Sequence, residues 1–221
     1  MPTLHQHFEA EVEIPFADFY LDGELIIPSY AAGVVLFAHG SGSSRHSPRN
    51  QYVARTLHER GVGTLLFDLL RQREEQEDRF SGHLRFDIGL LAKRLLSATE
   101  WFHKKEPDLF IGYFGSSTGG GAALFADAES EIPIKAIVSR GGRPDLAGEE
   151  ALPRVKAATL LIVGGNDTPV IEMNKQAYAL MKCPKELRLI PGATHLFEEG
   201  GALERVAEMA AEWFERHFAT A

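Results

Sequence analysis

A single cysteine, Cys183, stands among 221 residues, so the chain cannot close a disulfide on itself. A lone thiol suits a reducing compartment. No apolar run approaches the roughly 20 residues that a membrane-spanning helix needs. The first ten residues hold two histidines and a glutamate with no apolar run behind them, unlike a secretory signal. Basic charge is scarce: 23 lysines and arginines face 31 aspartates and glutamates, a net charge of −8. That balance argues against a chain-wide footprint for nucleic acid or anionic membrane. Metal-ligating groups are equally thin. His5-Gln6-His7 is short and terminal, and Cys183 has no partner cysteine. There is no G-x-x-x-x-G-K-[ST], and Gly119-Gly120-Gly121 lacks the spacing of a dinucleotide fingerprint. These absences lead us to expect no metal, no cofactor, no nucleic acid and no membrane, and a cytoplasmic protein. Without repeat, low-complexity tract or linker, residues 1–221 read as one domain.

What is present is a core. Hydrophobic residues make up 44% and charged residues 24%, which excludes disorder. A chain of this size buries roughly 70% of its unfolded surface. Glu11-Val-Glu-Ile14 alternates polar with apolar residues, and Phe19 to Ile27 contains Asp22-Gly23, a common hairpin turn dipeptide. An N-terminal antiparallel hairpin is therefore expected. Six short apolar runs follow: Gly33–Ala38, Gly63–Asp68, Leu109–Phe114, Ile134–Val138, Thr159–Val163 and Glu186–Ile190. Runs apolar on both faces suit buried parallel strands. Between them lie helical stripes, Leu84, Ile88, Leu91, Leu95, Ala98 and Phe102, then Leu203, Val206, Ala210, Trp213 and His217. Alternation of this kind predicts an α/β fold of right-handed βαβ units. The charged segment Arg71 to Arg79 lacks pattern and reads as a solvated loop, on the side of the sheet where ligands bind.

The strongest chemical signal is Phe114-Gly-Ser-Ser-Thr-Gly-Gly-Gly121, which holds G-x-S-x-G as Gly115, Ser117 and Gly119. It follows a predicted strand and opens a predicted helix. A nucleophile on that strained turn needs small residues two positions to either side. Ser116 would have Phe114 there, so Ser117 is the candidate. A glycine-rich turn or a helix N-terminal anion site is the plainer reading.

A serine hydroxyl needs a base, and a histidine base needs an orienting carboxylate. Where this motif is used, the chain order is nucleophile, acid, base. Asp167 follows the run ending at Val163, 50 positions after Ser117; it could equally be a helix cap. His195 follows the run ending at Ile190, 28 positions further on. Asp145 is a rival acid. An oxyanion would be held by the N–H of Thr118 and one from the His39–Ser44 loop, with Ser41 chosen and Gly42 its rival. Arg45, Arg49, Arg140 and Arg143 all follow predicted strand ends. Either they recognise a carboxylate or phosphate on the substrate, or they fix loops through ion pairs.

At these residues the chain resembles the α/β-hydrolases, and within them the dienelactone hydrolase family. The likeness runs from about Gly33 to Phe218, through Leu36–Arg45, Gly112–Gly119, Leu161–Asp167 and Pro191–His195. Ser139–Ala147 and Ser47-Pro-Arg-Asn50 are similar to a subgroup sometimes fused to phosphoribosyltransferase domains. The resemblance implies a mostly parallel central sheet with helices on both faces. It assigns Ser117 as nucleophile, His195 as base and Asp167 as acid. Dienelactone hydrolases proper use cysteine where this chain has Ser117, so serine-mediated cleavage of small carboxylic esters or lactones is the expectation, without the dienelactone substrate. The short stretch Ser139 to Ala158 leaves no room for a large lid, so an open site is expected.

Overall fold

The computed structural model describes residues 6–219. His5 lies outside them, and so does any test of the terminal His5-Gln6-His7 group. Strands β1 (Phe8–Phe16) and β2 (Phe19–Ile27) pair antiparallel, with Phe16 opposite Phe19. The chain reverses at Ala17-Asp18, where Ala17 takes φ +50°, and not at Asp22-Gly23. That dipeptide lies inside β2. A Cβ on Gly23 would come 3.1 Å from Phe67 and 3.2 Å from Val12, so this glycine serves close packing and not a turn.

The six apolar runs form β3 (Gly33–Ala38), β4 (Gly63–Phe67), β5 (Phe110–Ser116), β6 (Ile134–Arg140), β7 (Ala158–Gly164) and β8 (Lys185–Ile190). The sheet order is β1-β2-β4-β3-β5-β6-β7-β8. It is parallel from β4 to β8, and β2 joins it antiparallel. Strands β3 to β7 are almost wholly buried. Edge strand β8 departs from the expectation, with Arg188 and Leu189 exposed. An edge has one neighbour only, and charge along it discourages pairing with another sheet.

Six α-helices cover the sheet: α1 (Pro48–Glu59), α2 (Gln72–Ser81), α3 (Ile88–Lys105), α4 (Thr118–Glu129), α5 (Thr168–Leu180) and α6 (Ala202–Phe218). The predicted stripe of α3 is buried from Ile88 onward. Leu84 falls in a separate 3-10 turn, because Asp87 accepts the Leu90 N–H at 2.9 Å and starts the helix there. Side chains from α3 and α4 pack on one face of the sheet with Leu36, Leu65 and Tyr113. Those from α1 and α6 pack on the other with Phe37, Phe114 and Val138. Each large apolar side chain so buried contributes about 1.5–3 kcal/mol.

The segment expected as a solvated loop is helix α2. It has little apolar surface to bury, and ion pairs fasten it instead. The buried Arg94 of α3 donates to both Glu74 oxygens at 2.8 Å and to the Leu69 carbonyl at 2.6 Å. Asp78, also buried, accepts from the Leu84 and Arg85 N–H groups and from Arg85 Nε. Between β6 and β7 lie two 3-10 turns, Pro144–Ala147 and Leu152–Arg154, and no lid domain. Among the described residues no helix is long and apolar enough to cross a membrane.

Candidate active site

Strand β5 ends at Ser116 and α4 begins at Thr118, so Ser117 alone makes the turn. Its φ of 49° and ψ of −121° lie where residues with a Cβ are strained. The neighbours explain how that is tolerated. A Cβ on Gly119 would lie 1.9 Å from the Ala38 carbonyl oxygen, and one on Gly115 would lie 2.5 Å from that of Gly119. Only glycine lets the three backbone segments meet. The turn is held from β6: the Arg140 carbonyl accepts the Ser117 N–H at 3.3 Å, and the Arg143 N–H donates to the Ser117 carbonyl at 2.9 Å.

Asp167 leaves β7 through the turn Gly164-Gly165-Asn166 and borders α5, but its side chain does not cap that helix. It accepts instead from His195 Nδ1 at 2.7 Å. A carboxylate accepts only, so Nδ1 carries the proton and Nε2 presents its lone pair. Asp167 is mostly shielded while the His195 side chain is 39% exposed, so the ring faces the opening. The rival Asp145 is engaged by Arg143 through two bonds of 2.9 and 2.7 Å and does not reach His195. Residues 140 and 141 link the two halves of the site. Arg140 holds the Ser117 amide, and a Cβ on Gly141 would lie 3.6 Å from His195 Cε1. Among the described residues the Ser117 hydroxyl has no hydrogen-bond partner. Such contacts commonly tighten only when substrate binds.

The oxyanion donors differ from expectation in one respect. The Thr118 N–H, first in α4, is one of the helix's unpaired donors. The Ser41 N–H already donates to Thr118 Oγ1 at 3.0 Å, because that hydroxyl reaches across from the elbow. For Ser41 to hold an oxyanion, Thr118 Oγ1 must give way. Gly42 next to it has φ +70°. His39 anchors this loop from behind: Nδ1 donates to the Gly40 carbonyl and Nε2 accepts the Leu69 N–H at 2.9 Å. Burial pulls its proton affinity down, so it stays neutral.

The four arginines divide. Arg45 pairs with Asp68 through side chain and backbone, and Arg143 pairs with Asp145. Arg49 makes an exposed 3.2 Å pair with Glu198. Arg140 is buried and paired with nothing among the described residues. Burial, with a smaller push from Arg49, brings its guanidinium down to about 10, still a cation at neutral pH.

Sequence reasoning missed Glu75 and Arg85. With Leu70 and Leu91 they line a narrow pocket whose other wall is Ser41, Gly42 and Thr118. Burial, then the charge of Asp68, raises the proton affinity of Glu75. Leu70 and Glu75 also border a cleft of about 560 Å³ between β2, the loop at residues 44–46 and the start of α2. The signal was indirect: Arg94, a cation within the apolar stripe of α3, implied a buried partner, and that partner is Glu74, the neighbour of Glu75. Among the described residues no group of histidine, cysteine or carboxylate side chains is arranged to hold a metal.

A mostly parallel eight-stranded sheet, helices on both faces and a serine on a strained strand-to-helix turn define an α/β-hydrolase. No family model matches the chain. A dienelactone hydrolase from Anabaena variabilis is 57% identical, superposes with a TM-score of 0.92, and is covered over 99% of its length by 96% of this chain. The chain belongs to the dienelactone hydrolase family. Est1E from Butyrivibrio proteoclasticus (18% identity, TM-score 0.79, 95% of this chain and 99% of that one) shares the fold. So does a Pyrococcus furiosus esterase (19%, 0.77, 96% and 92%). Two Mycobacterium tuberculosis proteins with provisional names as phosphoribosyl transferases are 51% identical over 212 residues, 95% of this chain. Those residues are 46% of the relatives' length, so the chain spans about half of each. Their name describes proteins more than half of which has no counterpart here.

Proposed function

We propose that this hydrolase is a serine esterase acting on small carboxylic esters or lactones through an acyl-enzyme on Ser117. The observation that carries the reading is the 2.7 Å bond from His195 Nδ1 to Asp167, which leaves Nε2 as a base beside the turn that presents Ser117. His195 Nε2 takes the Ser117 proton as Oγ attacks the ester carbonyl. The oxyanion is held by the Thr118 N–H and a donor from the Ser41-Gly42 loop. His195 then protonates the leaving alcohol, and the acyl group stays on Ser117. Water, deprotonated by the same nitrogen, attacks the acyl-enzyme and releases the acid. Asp167 orients the ring and stabilises its protonated form.

The test is intact-mass analysis after incubation with a fluorophosphonate, on wild type and Ser117→Ala. One adduct on wild type and none on the variant is the expected result, with ester turnover falling about 10⁵-fold in the variant. A folded wild type that takes no adduct would overturn the reading.

A further inference from the structure

Among the described residues four threonines are buried, and three of them spend their hydroxyl inside the fold. Thr99 and Thr159 donate to the carbonyls of Leu95 and Ala157 at 2.8 and 2.9 Å, and Thr64 shares a 2.7 Å bond with His58 Nε2. Thr118 differs. Its Oγ1 accepts the Ser41 N–H at 3.0 Å, yet no described residue accepts its own proton. A hydroxyl carries one proton and two lone pairs, and a buried proton without an acceptor is costly. Thr118 is 1% exposed. The position is also particular. Thr118 opens α4 directly after Ser117, so its hydroxyl and its unpaired N–H belong to the residue that follows the nucleophile. The loop that carries Ser41 is pressed against the same turn. A Cβ on Gly40 would lie 3.0 Å from the Ser116 carbonyl oxygen and 3.1 Å from Ser117 Cβ. His39 fixes that loop from behind by accepting the Leu69 N–H at 2.9 Å. A β-branched side chain has few rotamers, and burial leaves this one little room to turn away from Ser41. If the bond to Ser41 holds, the site contains a hydroxyl polarised by an amide donor, with its proton still to give.

We propose that the Thr118 hydroxyl is itself an oxyanion donor, standing between the Ser41 amide and the substrate oxygen. The Ser41 N–H donates to Thr118 Oγ1, and the Thr118 O–H donates to the oxygen that gains charge as Ser117 Oγ bonds to the carbonyl carbon. No proton moves along this chain. Thr118 thus supplies two donors, its N–H and its O–H, and the Ser41 amide serves the oxyanion through it. The inference rests on the esterase reading.

The experiment measures kcat and KM on an ester that wild type cleaves, and the inhibition constant of a trifluoromethyl ketone with the same acyl chain. Wild type, Thr118→Val and Thr118→Ser are compared. Ser117 Oγ adds to the ketone carbon, the carbonyl electron pair becomes an oxyanion, and the serine proton passes to His195 Nε2. The ketone therefore reads the oxyanion site apart from ester binding. Thr118→Val keeps the branched shape and loses the hydroxyl. It should lower kcat and kcat/KM together by about 10- to 100-fold, hold KM steady, and weaken the ketone by a similar factor. Thr118→Ser restores the hydroxyl and should bring both back to within about fivefold of wild type. Thr118→Val as active as wild type would overturn the proposal. A faster Thr118→Val would overturn it too, and would show that the hydroxyl plugs the Ser41 amide. So would a loss of turnover with ketone affinity kept, which would give Thr118 a packing role alone. If Thr118→Val does not fold, Thr118→Ala takes its place, with the same losses expected and the same outcomes against it. A wild type that takes no fluorophosphonate adduct would remove the esterase reading and this proposal with it. A labelled wild type beside an indifferent Thr118→Val would remove this proposal only.

Discussion

The elbow around Ser117 and helix α2 line one pocket, Thr118 on one wall and Glu75 on the other, yet opposite kinds of force hold them. The elbow is backbone against backbone. Gly115 and Gly119 pack on neighbouring carbonyls, and main-chain bonds to Arg140 and Arg143 hold Ser117 in its strained turn. Helix α2 is side chain against side chain. Arg94 grips Glu74, Arg85 grips Asp78, and almost nothing apolar is buried. Steric fit in a close-packed interior is insensitive to pH and salt, whereas charge pairs are not. One wall of the pocket is therefore rigid, and the other is adjustable.

The largest effect expected is chemical. Asp167→Asn should cut turnover by about 10⁴-fold by unseating the His195 tautomer, while Asp145→Asn leaves it near wild type. Steady-state kinetics on any cleaved ester checks both, and the reverse pattern would move the acid to Asp145. Next is the rigid wall itself. A methyl on Gly119 meets the Ala38 carbonyl, so Gly119→Ala should destabilise the fold by about 3 kcal/mol and abolish fluorophosphonate labelling. A stable, labelled variant would show that the elbow can relax, and the contrast with α2 would fail.

The adjustable wall should respond by itself. Arg94→Met should raise amide exchange across residues 72–81 by about 10- to 100-fold while β5 and α4 keep their protection. Loss of protection in both regions would mean that the two walls form one unit.

Acid gives the smallest effect. Burial pushes the Glu74 and Asp78 carboxyls up, but the bonds they accept outweigh it and hold both at about 2. A carboxylate depressed on folding stabilises above its unfolded value and loses that contribution as pH falls through its folded value. Their unfolded values lie near about 4. Between about pH 5 and 2, α2 should therefore loosen before the elbow. Limited pepsin cleavage across this range should cut first within residues 72–81, and simultaneous cleavage in β5 would contradict the difference.

What could be read along the chain was whatever rests on near neighbours. The apolar runs became β3 to β8 within two residues at either end, because a strand buried on both faces shows in composition alone. Gly115, Ser117 and Gly119 announced the elbow for the same reason, since the steric demand falls on residues two positions away. Asp22-Gly23 misled because a turn dipeptide also suits a strand whose glycine is pressed between Val12 and Phe67. Helix α2 was illegible because its partner, Arg94, lies 20 positions from Glu74. The arginines looked alike in sequence, and only the packed chain separated Arg45 and Arg143, which meet carboxylates, from Arg140, which meets none. The residues themselves determined the layered α/β fold and the serine on its turn. Tertiary structure alone decided which aspartate reaches His195, which arginine is left without a counter-charge, and where the Ser41 amide points. Periodicity and steric demand are local and repeat along the chain, while a charge finds its partner only when distant segments are brought together.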